Sequence, residues 1–174
     1  KIHLFHGNFI NLPQYLDQLK IGAVDLILLD LGVSLHQLEN SGRGFSFNKD
    51  EPLDMRMDNR SATRADDLVN NLAEDELRKI FKDYGEERWS KQIARSIVKN
   101  RRQKKIETSR QLAQIVRSAI PRRAPADQHI HPATRVFMAL RIAVNKELEV
   151  LDRFMTGVSD WLNRKILLFV LSFH

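Results

Sequence analysis

The 174-residue chain contains no cysteine. That excludes disulfides, thiolate metal sites and cysteine nucleophiles, and it fits a reducing compartment. Long apolar runs are missing as well. The longest, Ile166 to Leu171, falls far short of the roughly 20 residues that a membrane helix needs. No signal-peptide pattern opens the chain. Neither a Gly-x-x-x-x-Gly-Lys-Ser/Thr phosphate loop nor Gly-x-Ser-x-Gly occurs, which argues against nucleoside triphosphatases and α/β-hydrolases. The histidines are scattered (His3, His6, His36, His129, His131 and His174) and none has the spacing of a metal-binding pair, so no metal site is expected.

What is present is charge. A net charge of +6 and a pI near 9.8 favour an anionic partner over a merely soluble basic surface. The length suits one well-buried core, or a core with an appendage. The chain starts at Lys1 with Ile2 to Phe5 reading as a strand, and a buried-type strand from Ile166 runs almost to its last residue. It reads as the middle of a larger domain.

The most informative stretch runs from Val24 to Asp58. Val24 to Leu29 is a short apolar run of the buried-strand kind, and Asp30 then Gly32 place a carboxylate on a strand-to-loop corner. Open α/β sheets bind ligands at the carboxyl ends of their strands, so Asp30 is the candidate for chemistry. A turn-forming Asp is the plainer reading. Ser34 and Gln37 follow in the same loop as polar groups able to orient a ligand. Arg43, Phe45 and Phe47, with Met55, Arg56 and Met57 beyond, suit a loop that grips something; the two Phe side chains suit packing or stacking on a base.

Ile2 to His6 and Val24 to Leu29 flank a predicted helix, Leu12 to Leu19, with Pro13 in its first turn. This is βαβ grammar and implies parallel strands. From about Ala62 to Ala119 the chain turns helical and charged. Predicted helices span Glu74 to Tyr84, with Gly85 as terminator, then Glu87 to Arg102, then the stretch after a Thr108-x-x-Gln111 capping box. Pro121 to Pro132 reads as a linker. The helix from Ala133 to Met155 carries Phe137, Leu140, Val144, Leu148, Leu151 and Met155 on one stripe expected to pack on the sheet.

Helix Glu87 to Arg102 separates its faces. Arg88, Lys91, Arg95, Lys99 and Arg102 recur every three or four residues, opposite Trp89, Ile93 and Ile97. Few carboxylates stand at helical spacing to neutralise these cations, and Arg110, Arg117, Arg122 and Arg123 follow. A phosphate footprint for nucleic acid is favoured over a solvated face.

Several segments in order resemble the RsmH (MraW) family of S-adenosylmethionine-dependent ribosomal RNA methyltransferases. They are His6-Gly7-Asn8-Phe9, Asp30-Leu31-Gly32-Val33-Ser34, Arg43-Gly44-Phe45-Ser46-Phe47 and Pro52-Leu53-Asp54-Met55-Arg56-Met57-Asp58. Tyr84-Gly85-Glu86-Glu87-Arg88, His131-Pro132-Ala133-Thr134-Arg135, Ala139-Leu140-Arg141-Ile142-Ala143-Val144-Asn145 and Ser172-Phe173-His174 continue the match.

The resemblance implies an α/β fold: a partial Rossmann-like methyltransferase domain over 1–60 and 132–174, with an inserted all-helical, basic subdomain over 61–131. It implies methyl transfer to the N4 amine of a cytidine in small-subunit (30S-type) ribosomal RNA. It also implies a bacterial-type cytoplasmic location, or a mitochondrial one in a eukaryote, and no membrane. Family cofactor contacts carry over to Phe9, against the adenine, and to Asp30 and Gln37. Asp30 is then either the binder of the methionine amine or the catalytic acceptor at N4, and Arg43, Phe45 and Phe47 are the RNA contacts beside the basic helix.

The family's glycine-rich cofactor loop is expected before Lys1, so the chain alone is expected to be inactive. A non-catalytic RNA-binding fragment is the alternative. Leu35 stands where the family repeats a serine, Met138 where Gln is common, and Asn163-Arg164-Lys165 where a Pro-Gly-Gly-Arg turn is usual.

Overall fold

The computed structural model describes residues 1–121, 131–158 and 162–172. The expected linker, with Arg122, Arg123 and His129, lies almost wholly outside them, as do Phe173 and His174. Two compact units are present, one made of Lys1–Val33 with Glu147–His174 and the other of Ser34–Lys146. The helical unit thus also takes in residues 34–60 and 132–146, beyond the 61–131 expected from sequence.

The first unit is a small α/β assembly. A 3-10 turn, Phe9–Asn11, leads into α1 (Leu12–Gln18), with Pro13 in the first turn where its missing N–H costs nothing. Strand β1 (Val24–Asp30) pairs in parallel with β2 (Leu162–Leu171), ending on the partners Asp30 and Leu171. Between Val24 and Leu26 the partner jumps from Leu162 to Leu167. The segment carrying Asn163-Arg164-Lys165 is therefore absorbed in an irregular strand start.

Alternation divides β1 by face. Ile27 and Leu29 are buried with Phe154 and Val158, while Leu26 and Leu28 are exposed. The apolar run predicts a strand buried on both faces; in the described residues only one of its faces is covered.

Residues 2–6 do not form the expected strand. A strand exists only through a hydrogen-bonding neighbour, and no described segment pairs with this one. Ile2 and Leu4 are exposed, and Phe5 stacks on Tyr15 with ring centroids 4.4 Å apart.

The second unit is helical: α2 (Leu35–Asn40), α3 (Ala65–Asn71), α4 (Glu74–Asp83), α5 (Ser90–Arg101), α6 (Ser109–Ala119) and α7 (Thr134–Asn145). Helix α3 was not anticipated; seven residues with two adjacent Asp carry little periodicity. Helix α4 follows its predicted stripe, burying Leu77 and Phe81. The capping box of α6 forms as read, with Gln111 N–H donating to Thr108 Oγ1 at 3.3 Å and Thr108 N–H to Gln111 Oε1 at 3.3 Å. Helices α4 and α5, α5 and α6, and α4 and α7 pack in pairs around Leu77, Phe81, Ile93, Ile97, Leu112, Val116 and Leu140.

Gly85 ends α4 for a reason other than a left-handed turn. A Cβ there would stand 2.6 Å from the Arg135 carbonyl and 3.1 Å from Ala139 Cβ, so α7 passes directly over it. The left-handed residue is Glu86, φ 47°.

The long helix predicted from Ala133 to Met155 is two helices. Lys146 adopts φ 51°, ψ 38°, the left-handed conformation that stops α7, and α8 (Glu147–Gly157) begins at once. The predicted stripe divides with it. Phe137, Leu140 and Val144 are buried among helices, chiefly α3 and α4; on α8 Leu151 packs with buried Phe154 against the strand residues Ile27 and Leu29, while Leu148 and Met155 are exposed. Among the described residues no helix is long and apolar enough to cross a membrane.

Candidate functional site

Asp30 is the last residue of β1 and is exposed. The next backbone N–H, of Leu31, is spent on the Leu171 carbonyl at 3.0 Å, extending the parallel pairing one step past the carboxylate. Gly32 then takes φ 111°, a conformation open to glycine, and turns the chain away. Among the described residues no hydrogen bond or ion pair engages the Asp30 carboxylate. A turn-forming Asp would cap a nearby N–H; this one leaves both oxygens available to a ligand.

Phe9 belongs to the same unit. Asn8 Oδ1 accepts from Ile10 N–H at 3.1 Å and starts the 3-10 turn. The turn sets the Phe9 ring edge-on to Phe154, with centroids 5.3 Å apart. The ring stays partly exposed.

The remaining predicted site residues lie in the helical unit. Gln37 is occupied locally: its Oε1 accepts from Ser34 N–H at 2.8 Å, and its own N–H donates to Ser34 Oγ at 3.3 Å, the reciprocal cap of α2. Only the amide nitrogen of Gln37 stays uncommitted.

Arg43 is a staple within its loop. Its Nη1 donates to the carbonyls of Arg56 at 2.6 Å and Met57 at 3.2 Å and to Asn59 Oδ1 at 3.1 Å, while its guanidinium lies 5.3 Å from the Phe45 ring. Phe45 is buried at 6% exposure, and Leu53 and Met55 more completely. The loop expected to grip a ligand therefore builds part of the core, and Phe45 offers no face for stacking. Of the two readings left open for Phe45, packing or stacking on a base, the structure shows packing. Phe47 differs. Half-buried, it stacks on His131 at 4.2 Å and meets Phe137 edge-on at 5.3 Å.

Three side chains without an assigned role hold this loop: Asn145, Asp54 and Arg56. Asn145, the last residue of α7, donates from Nδ2 to the Met55 carbonyl at 2.8 Å and accepts from Met57 N–H at 2.7 Å. Between those bonds Met55 sits at φ 60°, fully buried, a conformation that costs a non-glycine residue about 1–3 kcal/mol unless its surroundings enforce it.

Asp54 and Arg56 form a two-point ion pair, Nε to Oδ1 at 2.7 Å and Nη2 to Oδ2 at 2.8 Å. Burial pushes the Asp54 carboxyl up. The hydrogen bonds from Arg56 and the charges of Arg56 and Arg64 outweigh it and hold Asp54 below its ordinary value. The Asp-x-Arg spacing is a sequence signal for the ion pair; Asn145 has none, because the helix end at Lys146 is not legible in the sequence.

Of the basic helix, Lys91, Arg95 and Lys99 lie exposed along α5 and Arg102 just past it, with Ile93 and Ile97 fully buried behind. Arg88 precedes the helix, because α5 begins at Ser90. Buried Glu87 accepts from Trp89 N–H at 2.7 Å and holds this entry turn, and the Arg88 guanidinium rests 4.8 Å from the Trp89 ring. Arg88 thus lies outside the helix that carries Lys91, Arg95 and Lys99.

Comparison with known proteins agrees with the segments read from the sequence. The model of the MraW methylase family matches residues 1–174. Relatives named ribosomal RNA small subunit methyltransferase H include those of Desulforapulum autotrophicum, 56% identical over 99% of this chain and 55% of that protein, and of Desulfosudis oleivorans, 54% identical over 97% and 54%. The relative in Geotalea uraniireducens is 49% identical over 100% of the chain and 55% of its own length. The chain spans about half the length of these curated relatives. At these identities, and with the family's pattern matched from Lys1 to His174, the chain belongs to the MraW methylase family.

Proposed function

We propose that this chain forms part of an S-adenosylmethionine-dependent enzyme that methylates the N4 amine of a cytidine in small-subunit ribosomal RNA. In this reading the strand-bearing unit is part of a Rossmann-like methyltransferase domain, and the helices form an insertion that meets RNA. The observation that carries the proposal is Asp30: an exposed, unengaged carboxylate at the carboxyl end of a parallel strand, in the segment Asp30-Leu31-Gly32-Val33-Ser34.

The residues fit the cofactor in two of three places. Asp30 can accept from an ammonium or a hydroxyl, and the partly exposed Phe9 ring can lie against a purine. Gln37 fits less well, since its carbonyl oxygen is committed to Ser34. When bound, S-adenosylmethionine supplies a methyl group on a sulfonium.

Cytosine N4 is a poor nucleophile because its lone pair is delocalised into the ring. Asp30, or the adjacent Leu31 carbonyl, helps by accepting a hydrogen bond from the amine and holding it in line. An in-line transfer also requires the base to leave its stack. Phe47, with part of its ring exposed, is suited to stack on an unpaired base of the substrate strand. Lys91, Arg95, Lys99 and Arg102 take phosphates.

A second reading has its own support. The chain spans about half the length of its relatives, and it presents Lys91, Arg95 and Lys99 exposed along one helix, which suits an RNA-binding role without catalysis.

Asp30→Ala in the full-length parent tests the proposal. Methyl transfer to small-subunit RNA should be abolished while circular dichroism stays unchanged, because an exposed strand-end carboxylate supports no core. Near-normal turnover would reduce Asp30 to a turn residue. Isothermal titration of S-adenosylmethionine into the 174-residue chain and into the parent separates the two readings.

A further inference from the structure

Where α5 ends and α6 begins, the helical unit contains a cavity of about 310 Å³, lined chiefly by Asn100, Gln103, Lys104, Ile106, Gln111 and Gln114. The connecting loop makes it. Gln103 and Lys104 N–H groups both bond to the Asn100 carbonyl, at 3.0 and 3.2 Å, curling the chain outward before Ile106 dives back to 2% exposure.

The floor is fixed in place. Asn70 accepts from Ile106 N–H at 3.0 Å and donates to its carbonyl at 2.8 Å. The Gln111 oxygen is held by Glu107 and Thr108 N–H, and Lys105 is tied to Asp66 at 3.4 Å. The floor of the cavity is therefore held in place, at the junction of α5 and α6.

Its chemistry is specific. No carboxylate lines the cavity, and two lysines do. Among the described residues the side chains of Gln103, Lys104 and Gln114 make no hydrogen bond. Each amide presents a donor and an acceptor in one plane, the same pattern as the edge of a nucleobase. Ile106 and Ile115 supply an apolar floor, and the volume is at the lower end of the range for a small-ligand site, about 300 Å³ upward. A phosphopeptide would call for the guanidinium fork that this lining lacks.

We propose that this junction holds one unstacked nucleotide of single-stranded RNA, its base edge against Gln103 and Gln114, its phosphate on Lys104. The site would grip the substrate strand away from the reacting base. This rests on the RNA-binding reading above.

The test is fluorescence anisotropy with the 174-residue chain, using a labelled single-stranded oligoribonucleotide and a duplex of the same length. Gln103→Ala with Gln114→Ala should weaken single-strand binding roughly tenfold, leave duplex binding and the salt slope unchanged, and preserve the helical circular dichroism. With 5-iodouridine in the single strand, photo-crosslinks should map to residues 103–114.

Equal effects on both RNAs, or no effect on either, would overturn the site while the chain still bound RNA. Crosslinks confined to residues 91–99 would do the same. Lys91→Ala, Arg95→Ala and Lys99→Ala combined serve as the control. If the unaltered chain binds neither RNA, the RNA-binding reading itself fails and the pocket fails with it.

Discussion

Leu28 in β1 and Leu77 in α4 are both leucines inside regular elements, yet Leu28 is 59% exposed and Leu77 fully buried. The contrast extends to their units. The helical unit wraps its apolar residues from several helices and a knitted loop. The strand unit buries Ile27 and Leu29 against Phe154 and Val158, and on its other face leaves Leu26, Leu28, Leu167, Phe169 and Leu171 exposed. Helices can close a core by local packing, whereas a two-stranded ribbon has two faces and covers one with what lies near it. Hydrophobic content alone does not make a closed core.

The sharpest way to break this contrast is to hollow the closed side. Phe81→Ala removes a fully buried ring between helices and should cost about 3–5 kcal/mol in urea unfolding followed by helical circular dichroism. A loss below about 1 kcal/mol would mean the helical unit is not the tightly packed partner in the comparison.

Next in size is Asn145→Ala. It strands the Met55 carbonyl and the Met57 N–H and releases the enforced φ of Met55, for an expected loss of about 2–4 kcal/mol. Asn145→Asp, which keeps the acceptor and loses the donor, should fall between; equal stability of all three proteins would discard the clamp.

These two residues show what the sequence made legible. Phe81 sat on a helical period and its burial could be read directly. Asn145 stood in a recognised segment, but its partners are nearly 90 residues away and in irregular backbone, where spacing carries no information. For the same reason Phe45 was read as a ligand contact and Lys146 was read through as helix. Asp30, by contrast, was placed correctly at a strand end because a strand boundary is a local property. Residues 2–6 have the local pattern of a strand but lack the neighbour that would make it one.

Acid should act on the helical unit in two steps. Burial, then the charge of Arg117, lowers the His131 pKa below 6.5, and its Nδ1 accepts from Ala133 N–H at 3.1 Å in the neutral form. The unfolded chain therefore takes up a proton that the folded one resists, and stability falls as pH drops below about 6.5. Asp54, held low by Arg56, contributes stability above its unfolded pKa of 3.8 that is lost as pH falls through its lower folded value. Urea midpoints measured from pH 8 to pH 3 should fall in both windows, and His131→Phe should flatten the upper one. An upper window unchanged in that variant would remove His131 from the account.

The smallest effect is expected on the open face. Leu28→Thr should change stability by less than about 0.5 kcal/mol while reducing concentration-dependent scattering. A large destabilisation would mean that face is covered in solution and would dissolve the comparison.

The parallel pairing of β1 with β2 joins residues roughly 140 positions apart, Asp30 with Leu171. Closing so long a loop from a disordered chain carries an entropic cost that grows with the logarithm of its length. Most of that loop is the contiguous stretch Ser34–Lys146, which packs on itself as a compact unit. Once that stretch has folded, far fewer free residues separate the strands. Topology thereby favours one order of events: helices first, strand pairing last. The position carrying Asp30 is then among the final parts of the chain to acquire its shape.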